Sequence, residues 1–233
     1  MTDMVGSWKD PKFASDYMQN AADVDMNWYE HSVNLASVSS MIPKGVKSLL
    51  DFGCGPGDFT IQLKEKGYKV DGCDGSQAMI ELAQKHFKDI NFFVWDGVGA
   101  NPQTKWYDAI ITKLTLHFVE DLSALAVQLA NILSPKGSLI ISVPHPIPTM
   151  SKADGVYLDT VPYDTEIGSY SMHVTMIHRS FQDYINPFLQ NGFVITGFVE
   201  PSIPSDVIER YNVKKEYAQI SRRLNIRFEK AGE

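Results

Sequence analysis

Two aspartates bracket three glycines in "LLDFGCGPGDFT", residues 49–60. Gly53, Gly55 and Gly57 supply the positive φ, or the close approach of a ligand, that a tight turn needs. Asp51 stands at the entrance of that turn and Asp58 at its exit. A pyrophosphate-binding turn of the G-x-G-x-x-G kind would carry glycine at position 58, and an anion prefers a helix N-terminus free of carboxylates. The two aspartates therefore suit a ligand with a positive centre. Asp74 lies near the ~20-residue offset at which an acid reaches ribose hydroxyls. Asp96 ends a later apolar run, where an adenine amino group would find an acceptor and the Gly97 amide could meet a ring nitrogen.

The elements that must carry these residues are legible from apolar spacing. "VKSLLDFG", "YKVDGCD", "INFFVWD", "YDAIITKL" and "SLIISVP" read as five strands. Helical spacing falls between them at 59–66, 76–87 and 122–133, the last ending before Pro135 and Gly137. Near-continuous apolar strands alternating with helices predict a doubly wound α/β fold around a parallel sheet buried on both faces. Such sheets bind ligands at the carboxyl edge of their strands, where the aspartates fall. Residues 11–40 read as one or two helices bearing Phe13, Tyr17, Trp28 and Tyr29. Residues 144–180 are too long and too rich in Pro, Gly, Tyr and Asp for a plain connection, and read as a lid or substrate wall. A helix at 181–190, a strand "GFVITGFVEP" and a last strand near "RLNIRFEKA" complete the pattern. One domain over 1–233 is expected: a helical cap (1–45), a cofactor-binding core (46–143), a substrate-side insertion (144–180) and a C-terminal helix with strands (181–233).

Bulk properties narrow the partners. A chain of 233 residues supports one sizeable core. The net charge of −7 argues against a nucleic-acid backbone as the main partner. The basic residues at 214–230, Arg222 and Arg223 among them, alternate with glutamates and read as a solvated face. No apolar run approaches the ~18 residues of a membrane span, and the N-terminus has no basic-then-apolar pattern, so a cytoplasmic location is expected. Cys54 and Cys73 read as reduced packing residues, and no ligand spacing suggests a metal.

A cation, a ribose and an adenine with no phosphate between them describe S-adenosylmethionine. "LLDFGCGPGDFT", "VDGCDGSQAMIELAQ", "FFVWDG", "YDAIITKLTLHFVED" and "LSPKGSLIISVPHP" resemble, in order, the successive motifs of the class I S-adenosylmethionine-dependent methyltransferases. The similarity is dense over residues 46–148 and continues more weakly to the C-terminus, as in the small-molecule branch of that superfamily. It implies a seven-stranded Rossmann-like sheet with the last strand antiparallel and S-adenosylmethionine across the carboxyl edge. It further implies a cofactor shell of Tyr17, Asp51, Gly53, Cys54, Gly55, Asp74, Gly75, Ser76, Asp96, Gly97, Lys113 and Leu114. Within it Asp51 would steer the ammonium, Asp74 the ribose, and Asp96 with Gly97 the adenine. Gly75 departs from the larger apolar residue that commonly packs on adenine.

The expected reaction is methyl transfer to an O or N atom of a small molecule, with no nucleic-acid or membrane partner. The activated methyl leaves the protein to align an acceptor and exclude water. A hydroxyl or ammonium acceptor also needs a base, and a histidine of near-neutral pKa suits that task. His117 and His145 follow the fourth and fifth strands and are the candidates, each with a structural alternative. Trp28, His145, Tyr163, His178 and Arg179 are candidate acceptor contacts, although His178 and Arg179 equally suit a pair tying down the insertion. Tyr157 and Tyr170 read as core or cap. A cofactor-binding regulator without transferase activity remains the alternative, and the carboxylates at the turn disfavour a nicotinamide enzyme.

Overall fold

Residues 6–21, 23, 25, 27–103, 105–167 and 172–231 are described by the computed structural model of the chain, and Tyr170 lies outside them. Strand β1 (Ser48–Phe52) is buried on both faces. Its period-two alternation sends Leu50 and Phe52 to one side and Leu49 to the other. It pairs in parallel with β2 (Lys69–Asp74) and β4 (Tyr107–Lys113). β3 (Asn91–Val94) lies beyond β2, and β5 (Leu133–Pro144) beyond β4. β8 (Phe193–Val199) and β9 (Arg223–Lys230) complete the order β3-β2-β1-β4-β5-β9-β8, with β9 antiparallel to both neighbours. This is the seven-stranded, mostly parallel Rossmann-like α/β sheet that the motifs implied. β5 begins earlier than its apolar run, because Leu133 pairs with Tyr107 before a register shift, with Lys136 at φ 61 between.

Helices cover both faces. Leu50, Phe52, Ile110, Leu139 and Ile141 pack under α6 (Leu122–Ile132) and α8 (Phe181–Leu189). Leu49, Ala109, Ile111 and Ile140 pack under α3 (Leu35–Ser40) and α4 (Asp58–Glu65). Side chains at their N-termini set where helices start: Asp121 accepts from the Ala124 amide at 2.9 Å, and Ser180 with Asp183 forms a capping box on α8. Ser76 likewise caps α5 (Gln77–His86) by accepting from the Met79 amide.

The chain reverses direction across the sheet between β1 and β4, the switch point where open α/β sheets bind ligands. Two groups of elements close over that edge. α1 (Gly6–Lys9) and α2 (Pro11–Ala21) sit against α5 through Ala14, Ala78 and Met79. From the other side come α7 (Pro146–Met150) and an antiparallel hairpin of β6 (Val161–Ile167) and β7 (Met172–His178). Trp8 and Phe13 meet Ala153, Tyr163, Val174 and Met176 of this insertion, joining the two halves of the roof. Val161, Tyr163, Thr165 and Ile167 of β6 alternate with polar positions, but Pro162 within the run demotes it as a strand in the sequence. Two short helices, α9 (Ser205–Arg210) and α10 (Lys215–Ala218), precede β9, and Val207 of α9 packs on Tyr29 and Val33. No described helix is long and apolar enough to cross a membrane.

Candidate active site

A cleft of about 990 Å³ opens at the switch point, at the upper end of the size usual for small-ligand sites (~300–1,000 Å³). One end is acidic. Asp51 of β1 is 1% exposed and accepts the Thr60 hydroxyl at 2.6 Å. Burial pushes its carboxyl up to about 7, opposed by the Thr60 bond and the charge of Lys113. A buried carboxylate of this kind is stabilised by a cation arriving in the cleft. Gly53 has φ 76 and presses on Thr115, whose Oγ1 would lie 2.1 Å from an added Cβ. Gly55 has φ 54, yet an added Cβ would meet nothing nearer than Tyr17 Cε1 at 3.9 Å. The first glycine therefore closes the turn and the second opens its backbone to the cleft.

Asp74 braces this turn. Its Oδ2 accepts the Gly55 amide at 3.0 Å and its Oδ1 the Ser76 amide at 2.8 Å. Burial raises its carboxyl above the usual range. Asp96 Oδ1 takes the Val98 amide at 2.9 Å, capping its own turn. A Cβ on Gly75 would lie 3.0 Å from that of Asp96, so the ends of β2 and β3 approach closely there. Tyr17 covers this end from α2, and burial, then Asp58, pushes its phenol up. The free thiols of Cys54 and Cys73 are driven well above their ordinary value by burial, which makes them packing groups.

The other end is basic. A π-helical turn, Glu30–Asn34, shows an i→i+5 bond from the Leu35 amide to the Glu30 carbonyl. It is fixed to the sheet by Asn34, which donates to Ser142 Oγ at 3.1 Å and accepts from Asn225 Nδ2 at 3.1 Å. Glu30 thereby faces Arg223, with which it forms an ion pair, and Lys113 at 3.6 Å. Burial alone would raise the Glu30 carboxyl; Arg223 and Lys113 outweigh it and hold the group down to about 2. Arg222 and Lys152 line the same wall.

The histidines differ in what their rings have free. His145 accepts the Ile147 amide on Nδ1 at 3.2 Å, so Nε2 carries the proton and donates to Glu200 at 2.5 Å. Both nitrogens are engaged. His117, in a 3₁₀ turn (Leu116–Phe118), is 2% exposed, and its Nδ1 is buried without a partner. Burial, then Arg223 and Arg179, holds its imidazole down to about 3. The near-neutral value expected of a base is not what this setting produces, because the ring is out of water and among cations.

A sequence profile described as methyltransferase domain matches residues 29–196. The chain belongs to that family. A solved structure of an S-adenosylmethionine-dependent methyltransferase from Listeria monocytogenes superposes with a TM-score of 0.68 and 24% identity, over 84% of this chain and 95% of that one. An uncharacterised methyltransferase of Schizosaccharomyces pombe is 26% identical over 144 residues, 57% of this chain and 48% of its own. A trans-aconitate 2-methyltransferase of Escherichia coli is 30% identical over 103 residues, 43% of this chain and 40% of its own. The alignment thus spans about half the length of these curated relatives.

S-adenosylmethionine is the cofactor of this methyltransferase fold, and the acidic end suits it. Asp51 is a buried acceptor, Asp74 a half-buried one, and Gly55 offers open backbone, with no cluster among the described residues fit to hold a metal. All twelve residues of the expected shell line the one cleft, as do Trp28, Tyr163, His117 and His145. His178 and Arg179 do not. His178 Nε2 donates to the Tyr157 carbonyl at 3.1 Å, and its Nδ1 takes the Thr149 hydroxyl at 2.8 Å. Arg179 is 3% exposed and donates to the carbonyls of Leu116, Val119 and Glu120. They tie down the insertion and the loop that carries His117, the second of the two roles their spacing allowed.

Glu30, Trp8, Lys152 and the Arg222–Arg223 pair were not singled out as site residues from the sequence, yet they line the cleft. For the arginines a signal existed. β9 is antiparallel, so its first residue lies at the edge where β1–β5 end, and Arg223 stands opposite Pro144. The solvated-face reading is corrected for Arg223, which is half-buried and paired with Glu30, while Arg222 is exposed where it lines the cleft.

Proposed function

We propose that the protein transfers the methyl group of S-adenosylmethionine to an oxygen or nitrogen of a small molecule bound at the basic end of the cleft. The observation that carries this reading is the order of charges along the sheet edge: Asp96 just after β3, Asp74 of β2 and Asp51 of β1, then Lys113 of β4 and Arg223 of β9 as a second compartment. Unpartnered buried polar atoms, His117 Nδ1 and Arg223 Nε, lie beyond the cofactor end. A protein that only sensed the cofactor would have no use for the second compartment. The trans-aconitate relative supports a small acceptor.

Asp51 holds the cofactor's ammonium, Asp74 its ribose and Asp96 its adenine, while the Gly53–Gly55 turn lies against its methionine part. When bound, the cofactor supplies an electrophilic methyl on a sulfonium. The chain's own work is alignment and exclusion of water. Lys113 and Leu114 flank the transfer path from β4, and the roof joined at Trp8 keeps solvent out. Trp28, stacked on Tyr211 at 5.4 Å, and Tyr163 form walls for the acceptor. His117 meets the acceptor as a neutral imidazole and His145 shapes the floor.

Incubation with methyl-labelled S-adenosylmethionine and a fractionated metabolite extract, followed by mass spectrometry, tests the reading. A labelled product with matching release of S-adenosylhomocysteine is expected. Cofactor binding without demethylation in any fraction would contradict it.

A further inference from the structure

Four cations, Lys113, Lys152, Arg222 and Arg223, converge on the acceptor end of the cleft, and the acids paired with them there leave them under-neutralised. Arg223 donates through Nη1 to the Arg222 carbonyl at 2.8 Å and pairs with Glu30, but its Nε–H is buried and has no acceptor. Glu30 is a single negative charge shared between Arg223 and Lys113. The Lys152 ammonium donates to the neutral Thr165 hydroxyl at 3.0 Å. Burial, then Arg222 and Arg223, lowers it below the usual lysine value, so these cations lie within one another's field. The Arg222 guanidinium rests over the rings of Tyr217 and Tyr29, at 5.0 and 5.9 Å. Glu166, on the same wall, is 3.5 Å from His173, and Glu200 is bonded to His145.

We propose that the methyl acceptor is a carboxylate, received by Arg223 Nε, Lys152 and Arg222 and methylated on oxygen to give an ester. This rests on the transferase reading above. A lone pair of the carboxylate oxygen forms the new C–O bond as the methyl–sulfur bond breaks and its electron pair returns to sulfur. The products are a methyl ester and S-adenosylhomocysteine. No proton moves, so the site needs no base. His145 with both ring nitrogens engaged, and His117 uncharged, are what such a reaction permits. A hydroxyl or ammonium acceptor would require the proton sink that neither supplies. A bound anion also gives the orphaned Arg223 N–H its acceptor, relieving the cost of a buried unsatisfied donor.

The test has two arms. Protein saturated with S-adenosylhomocysteine is titrated by calorimetry with a panel of aliphatic and aromatic mono-, di- and tricarboxylates and their neutral amides. At least one carboxylate, and not its amide, is expected to bind. Lys152→Gln and Arg222→Gln, both at exposed positions, should each weaken it by about tenfold with S-adenosylhomocysteine affinity unchanged. In the second arm, labelled product from the metabolite extract is treated with mild alkali. Release of the label as methanol is expected, since esters hydrolyse there and ethers and methylamines do not. Binding of S-adenosylhomocysteine with no carboxylate bound, or an alkali-stable product, would overturn the proposal and leave the transferase reading standing. Failure of S-adenosylhomocysteine itself to bind would overturn both.

Discussion

Asp51 combines deep burial with a carboxyl raised to about 7. Its ordinary value of 3.8 applies in the unfolded chain, so between those two limits the folded protein holds the extra proton. Stability without ligand is therefore fullest below the lower limit, falls as pH rises through the window, and carries the whole cost above about 7. A bound ammonium reverses the preference by favouring the carboxylate. Affinity for S-adenosylhomocysteine should fall by about tenfold per pH unit below 7, with proton release visible by calorimetry in buffers of different ionisation enthalpy. Asp51→Asn should abolish that slope and weaken binding, yet stabilise the free protein by roughly 1–2 kcal/mol at pH 8 in denaturant melts. A pH-independent wild-type affinity would show that no cation meets Asp51. Asp74 acts differently, since its two oxygens already hold the glycine turn. Asp74→Ala should cost about 1–3 kcal/mol of cofactor affinity through lost charge-assisted bonds, with Asp74→Asn milder because its carbonyl can still accept an amide.

The roof is a joint between elements distant in the chain. Trp8 packs edge-on against Phe13, Tyr17 and Phe118 at 5.0–5.2 Å, and its carbonyl accepts the Ser76 hydroxyl. Trp8→Ala should release α1 and α2 from the hairpin, raising the S-adenosylhomocysteine dissociation constant by about tenfold. Proteolysis should then cut the N-terminal segment in the variant faster than in wild type, with ligand restoring protection. What the sequence reveals divides along this line. β1–β5 are legible because burial on both faces leaves continuous apolar runs, and Ser76 and Asp121 mark helix starts by chemistry alone. Glu30 escapes, since a π-helical turn breaks the 3.6-residue spacing that assigns helix faces. Residues 161–178 escape because Pro162 stands inside the otherwise alternating run of β6. Arg179 and His178 show the remaining limit: spacing fixes their place at the end of β7 but not that backbone carbonyls occupy them.

Across the whole molecule, charge is sorted along one cleft. Asp51 of β1, Asp74 of β2 and Asp96 just after β3 gather at one end, while Lys152 of the insertion and Arg222 and Arg223 at the start of β9 gather at the other. The net charge of −7 conceals this division. A cationic cofactor and an anionic acceptor would each find the complementary field, and the two ligands attract one another once bound. Positive coupling is therefore expected between S-adenosylmethionine and a carboxylate acceptor, stronger than with S-adenosylhomocysteine, which lacks the sulfonium charge. Equal coupling with both would place the anion beyond reach of the sulfonium.

The most direct test of the account is calorimetric titration of the folded protein with S-adenosylmethionine and S-adenosylhomocysteine at pH 8. Both should bind one per chain with micromolar dissociation constants, because the ammonium, ribose and adenine contacts are common to the two. Folded protein that binds neither would contradict the assignment of this cleft.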